Sequence, residues 1–221
     1  MGTSFASVYL AEAAEICGKL DADAIERLAG ELAALRARGG RLFLLGVGGG
    51  AGHASHAACD FRKIAGIESY TPTDNVSELT ARINDDGWDS ALAEWLRGSR
   101  LSGRDAVLVF SVGGGDLERK VSVSVVRAVE YARQVGAVVC GVVGRSDGYT
   151  ARVADACVVV PAVNPSRLTP HAEAFQAVIW HLLVAHPLLQ RAPMKWESLD
   201  PGAPGTGDAA GGNAGPGGGA L

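Results

Sequence analysis

Short, uninterrupted apolar runs alternate along this chain with stretches whose apolar residues recur every three or four positions. Four runs, at residues 42–47, 105–110, 137–143 and 156–160, have the length and character of strands covered on both faces. Residues 68–70 add a shorter strand before Thr71-Pro72-Thr73. Helical spacing opens the chain: Val8, Leu10, Ala11, Ala14 and Ile16 form one apolar side, and Ile25, Leu28, Leu32 and Leu35 a second. Asp21 or Asp23 can cap the second helix, and Gly39-Gly40 closes it. Further helices are expected from about Ala51, over 74–83, 88–97 and 117–134, and over 168–183 with Pro170 in the first turn. The polar stretch Asn84-Asp85-Asp86-Gly87 reads as a turn between two of them.

Strands alternating with helices imply right-handed βαβ crossovers. The expected fold is therefore a three-layer α/β/α sandwich on a central parallel sheet, Rossmann- or flavodoxin-like. Residues 1–40 are a helical segment that packs on the domain or on a partner subunit, and 41–190 form the domain itself. Residues 200–221, rich in Gly, Ala and Pro, have little to bury and are expected to be disordered.

Composition narrows the class. With 221 residues, 48% hydrophobic and 20% charged, the chain supports one substantial globular domain. A net charge of −4 gives no general attraction to nucleic acid or to acidic membranes. No apolar run approaches the roughly 20 residues that span a bilayer, and the N-terminus does not read as a signal peptide. Cys17, Cys59, Cys140 and Cys157 lack paired spacing and read as small buried hydrophobes in a reducing, cytoplasmic compartment.

Candidate chemistry gathers at two places. Gly48-Gly49-Gly50 follows the first strand, where permissive backbone and the next helix's free N–H groups suit an anion. On that helix His56 and Asp60 are four residues apart, on one face, as a metal pair or an acid/base pair. On the last helix Glu173 and His181, eight residues apart, can share a side. Together they make a His, Asp, Glu, His set suited to zinc; the competing reading is that His181 is a core histidine. His53, His171 and His186 read as turn, cap and surface residues. A nicotinamide cofactor is disfavoured, because no acidic residue follows a clear second strand at the fingerprint distance.

The order of elements, G-x-G-G followed by His-x-x-x-acid, and the late acid-x7-His helix resemble the sugar isomerase (SIS) domain of bacterial phosphoheptose isomerases, over about residues 5–187. The resemblance implies conversion of sedoheptulose 7-phosphate to D-glycero-D-manno-heptose 7-phosphate by a cytoplasmic, zinc-binding homotetramer with sites between subunits. By position, the family's general base falls on Asp60 and its histidine acid on His181. Its other metal ligands fall on His56 and Glu173, and its sugar-contacting Asn-Asp pair on Asn84 and Asp85. Substrate contacts are further expected from Gly48, Gly49, Gly50, Ser111, Gly113, Gly114 and Glu173. The first loop, Gly46-Val47-Gly48-Gly49-Gly50, stands where the family has G-N-G-G-S. The second, from Ser111 to Asp116, stands where it has S-T-S-G-N-S, and of that hydroxyl cluster only Ser111 survives. Asp116 either opposes a phosphate or caps the next helix, and Arg119 or Lys120 can offset its charge. The alternatives are an isomerase of another sugar phosphate, or a non-catalytic module that binds a sugar phosphate or a protein partner.

Overall fold

A computed structural model describes residues 4–194. The expected tail at 200–221 lies outside the described residues. Strands β1 (Leu42–Gly46), β2 (Ser69–Tyr70), β3 (Ala106–Ser111), β4 (Val138–Val143) and β5 (Ala156–Val159) form a single parallel sheet in the order β2-β1-β3-β4-β5. Helices α1 (Phe5–Lys19) and α2 (Ala22–Ala37) precede it. Between and after the strands run α3 (Gly49–Lys63), α4 (Val76–Asp86), α5 (Trp88–Gly98), α6 (Val123–Gln134), α7 (Tyr149–Val153) and α8 (Leu168–Ala185).

The central strands β1, β3 and β4 are almost wholly apolar because both faces are covered. Leu42, Leu44, Leu108, Phe110 and Val142 pack towards α2, α3 and α8. Their strand neighbours Phe43, Leu45, Val107, Val109 and Val139 pack towards α5 and α6. Each such side chain, fully buried, contributes about 1.5–3 kcal/mol. The strand order reverses between β1 and β3, and Gly46 lies opposite Phe110 in the register. Their carboxyl ends therefore open the crevice where sheets of this kind hold ligands.

Several boundaries differ from the sequence expectation. Helix α3 begins at Gly49, so Gly49 and Gly50 belong to its first turn. Helix α4 continues to Asp86, which leaves Asn84 and Asp85 helical and exposed; the break is Gly87 alone, at φ 80°. Helix α6 starts only at Val123, because Asp116 and Val121 pair through two backbone hydrogen bonds of 2.9 Å and close a loop. In that loop Lys120 (φ 55°) and Ser122 (φ 49°) hold left-handed backbone that costs non-glycine residues about 1–3 kcal/mol each. Asp116 accepts from Arg119 N at 3.0 Å and so caps this turn rather than α6. Helix α7 adds a short element between β4 and β5 that the apolar pattern does not mark. Cys17 and Cys59 are exposed, on the solvent sides of their helices, and only Cys140 is fully buried.

Two polar knots hold the periphery. Glu12 of α1 accepts hydrogen bonds from Asn164 Nδ2 and Arg167 Nε, each 2.8 Å, and pairs with His171 Nε2 at 2.8 Å. His171 is thus a buried residue joining α1 to α8 rather than a cap. The other side of α1 is bare: Ile16 is its single buried residue, while Phe5 and Leu10 are 69% and 67% exposed.

Beneath β1, the Asp105 carboxylate is 3% exposed and receives Arg41 N, Arg41 Nη2, Ser102 N and Ser102 Oγ at 2.9–3.0 Å. Burial pushes its pKa up, but these hydrogen bonds outweigh it and hold the carboxyl below the usual range. A lowered folded value makes the contribution complete above the unfolded pKa of about 4 and lost as pH falls through the folded one. Asp105→Ala, which leaves the Arg41 guanidinium only the Ser99 and Arg100 carbonyls, and Ser102 N without its acceptor, is expected to cost about 3 kcal/mol in urea unfolding at neutral pH. The difference between the variant and the unaltered protein should shrink as the pH is lowered below about 4.

Candidate active site at the seam of two helices

Close backbone approach fixes the start of α3. A Cβ on Gly46 would lie 2.2 Å from the Gly50 carbonyl, and one on Gly50 would lie 2.4 Å from Phe110 O. Gly48, at φ 60°, turns the chain from β1 into the helix. From there Gly49, His53, His56 and Asp60 follow at spacings of four, three and four, which places them in one row along the helix. That helix packs against α8.

Three groups converge on this seam. The ligand atoms of His56, Asp60 and His181 all lie within 4.8 Å of one another. His56 Nε2 is 3.8 Å from Asp60 Oδ2, and the two imidazoles meet edge to face at 5.5 Å between centroids. The Trp180 ring backs both, at 4.6 Å from His56 and 3.4 Å from His181. His181 Nδ1 lies 2.8 Å from the Ala177 carbonyl, which only accepts, so this nitrogen carries the proton and Nε2 keeps its lone pair. Two imidazole nitrogens and a carboxylate are a donor set for zinc, and a fixed second nitrogen is what orients a histidine ligand. His181 is exposed, which removes the core-histidine reading.

Glu173 stands outside this group. Its carboxyl carbon would lie 2.6 Å from a Cβ on Gly49, so the carboxylate rests against the first turn of α3. The amino end of α3, which the glycine run had suggested for an anion, is faced by the chain's own carboxylate. There Glu173 lines a cavity of about 320 Å3 with Val47, Gly50, Ser111, Gly113, Ser122 and Gln176. Ser111 Oγ accepts from Gly114 N at 3.0 Å. Ser122 supplies a second hydroxyl that the sequence does not mark, because 117–134 reads as one helix. Its side chain makes no capping bond to α6 and stays free for a ligand. Gly48 and the buried Gly114 do not line this cavity, and neither do Asn84 and Asp85, which bond to each other on α4 at 2.8 Å.

His53, which the sequence suggested for a turn, is half-buried on α3 one turn before His56, edge-on to Phe110 at 6.3 Å. Burial pushes its imidazole below the ordinary value; the Glu173 carboxylate pulls it back up, and His56 and His181 add to the lowering.

A parallel sheet in this order, with a glycine turn at the switch point and an imidazole–carboxylate seam beside it, fits the sugar isomerase (SIS) domain that the sequence resembles. No family model matches the chain. A phosphoheptose isomerase from Rhodospirillum rubrum is 31% identical over 167 residues, 73% of this chain and 83% of the relative. One from a Roseiflexus species is 34% identical over 154 residues, 67% of this chain and 70% of the relative. Among solved structures, a phosphoheptose isomerase from Neisseria gonorrhoeae shares the fold with a TM-score of 0.70 at 21% identity, covering 81% of this chain and 95% of that one. One from Francisella tularensis has the same TM-score and identity, covering 83% and 97%. The chain belongs to the phosphoheptose isomerase family, and is an isomerase.

Proposed function

We propose that the protein converts sedoheptulose 7-phosphate to D-glycero-D-manno-heptose 7-phosphate. The reading is supported by the likeness to phosphoheptose isomerases and by the His56, Asp60, His181 group on α3 and α8, the two helices that also border the cavity at the β1/β3 crevice. Aldose–ketose exchange needs a base at carbon, stabilisation at oxygen and a grip on phosphate. Zinc held by His56, Asp60 and His181 would supply a Lewis acid for charge developing on the sugar oxygens. Three protein ligands leave a coordination position open, as catalytic zinc requires. Asp60, with two carboxylate oxygens, takes the proton from C1 and returns it to C2.

The phosphate belongs at the amino end of α6, where Ser111, Ser122 and the Gly113 backbone face the cavity. Glu173 disfavours a dianion at the amino end of α3. Water must be kept from the reacting carbons, yet His56 and His181 are exposed, with Val178 and Leu182 of α8 49% and 40% exposed near them. A second copy covering this apolar flank, within a cytoplasmic homotetramer, completes the site. Among the described residues no helix is long and apolar enough to cross a membrane.

The test is substrate choice. Zinc-loaded protein is given sedoheptulose 7-phosphate or fructose 6-phosphate, and aldose formation is followed for each. Preferred conversion of the heptulose is expected. Conversion of the hexulose alone would shift the substrate. No conversion of either, with binding retained, would make this chain a sugar-phosphate-binding module.

A further inference from the structure

His181 has been given two tasks by family position, ligand and proton carrier, and its geometry permits only one. Nδ1 is committed to the Ala177 carbonyl. When Nε2 holds a metal, no nitrogen remains to accept a proton. The exchange nevertheless needs an oxygen proton moved from O1 to O2, in addition to the carbon proton moved from C1 to C2.

One imidazole on the seam lies outside the metal group. His53 is one turn from Gly49, against which the Glu173 carboxylate rests, and three residues before His56 on the same face of α3. Phe110, the residue before Ser111 at the end of β3, meets the edge of its ring. His53 is therefore half-buried beside Glu173, which lines the cavity, and on the same helix face as His56 of the metal group. The charged and titratable groups around it are Glu173 and His181 from α8 and His56 from its own helix, and β3 presents only Phe110.

Resting on the isomerase reading above, we propose that His53 is the oxygen-proton carrier of the reaction, with Glu173 as its positioning partner. After Asp60 removes a C1 proton, the O1–H bond breaks as its proton passes to the free nitrogen of neutral His53. That N–H bond then breaks as the proton passes to O2, and Asp60 returns its proton to C2. The ketose becomes the aldose, both side chains return to their starting forms, and nothing is consumed. The Glu173 carboxylate, which rests against Gly49 one helical turn away, stabilises the cation that briefly forms.

The test is His53→Gln and His53→Ala in D2O with sedoheptulose 7-phosphate, following aldose formation and deuterium entry at C1 of the remaining ketose. Zinc content and circular dichroism serve as controls. Aldose formation by His53→Gln is expected to fall about 100-fold, with KM little changed and zinc retained. Deuterium should still enter C1, because the carbon step runs without the carrier. Added imidazole should restore part of the rate in His53→Ala. Unchanged conversion in His53→Gln overturns the assignment, as does loss of deuterium entry in parallel with product. Conversion by the unaltered protein is measured first, and its absence removes the isomerase reading and this inference together.

Discussion

Asp60→Asn is expected to lower aldose formation by roughly 10^3-fold while leaving the protein folded. Asparagine keeps the size of the side chain but cannot take a proton from carbon. Asp60 is half-buried on α3, beside the imidazoles of His56, at 3.8 Å, and His181, and its carboxylate accepts no hydrogen bond among the described residues, so the fold depends little on it. Stability should stay within about 0.5 kcal/mol of the unaltered protein by urea unfolding. The variant also loses one anionic zinc donor, so its rate must be measured at saturating zinc. Deuterium entry at C1 separates the two effects: a lost base abolishes exchange even with zinc restored. Normal turnover by Asp60→Asn removes this residue from the carbon step.

His181→Ala should lose both metal and rate. Of the three donors, His181 is the one whose orientation is fixed by a backbone hydrogen bond, through Nδ1 to Ala177. Its removal leaves two donors from a single helix, and zinc affinity is expected to fall by more than about 100-fold, beyond the effect of changing a supporting residue. Zinc per subunit after dialysis reads this directly. Full zinc content in the variant would show that the metal sits elsewhere, and Glu173, resting against Gly49, would be the next donor to examine.

The sheet was legible because β1, β3, β4 and β5 are built on short apolar runs, and α2 and α8 because their buried residues keep helical spacing. The His56–Asp60 pair was visible as a four-residue step within one helix. Glu173 and His181 share a helix too, but spacing does not show how far each side chain reaches, and the structure places Glu173 at Gly49 instead. Helix α6 was drawn too early because 117–122 lacks Pro and Gly; the Asp116–Val121 pairing that holds those residues out of the helix is a backbone contact with no sequence mark. Ser122 was hidden by that loop, and His53 by the absence of a partner within its own segment. Asn84 and Asp85 read as turn residues by composition, yet helical pairing carries them to Asp86. Their place on α4 keeps them from the cavity of their own chain.

The most direct measurement is a proton NMR time course of zinc-supplemented protein with sedoheptulose 7-phosphate, run beside Asp60→Asn. The account predicts aldose signals that grow with the unaltered protein and stay absent with the variant. Equal growth in both would contradict the placement of the chemistry on the α3–α8 seam, and growth in neither, with zinc bound, would contradict the substrate.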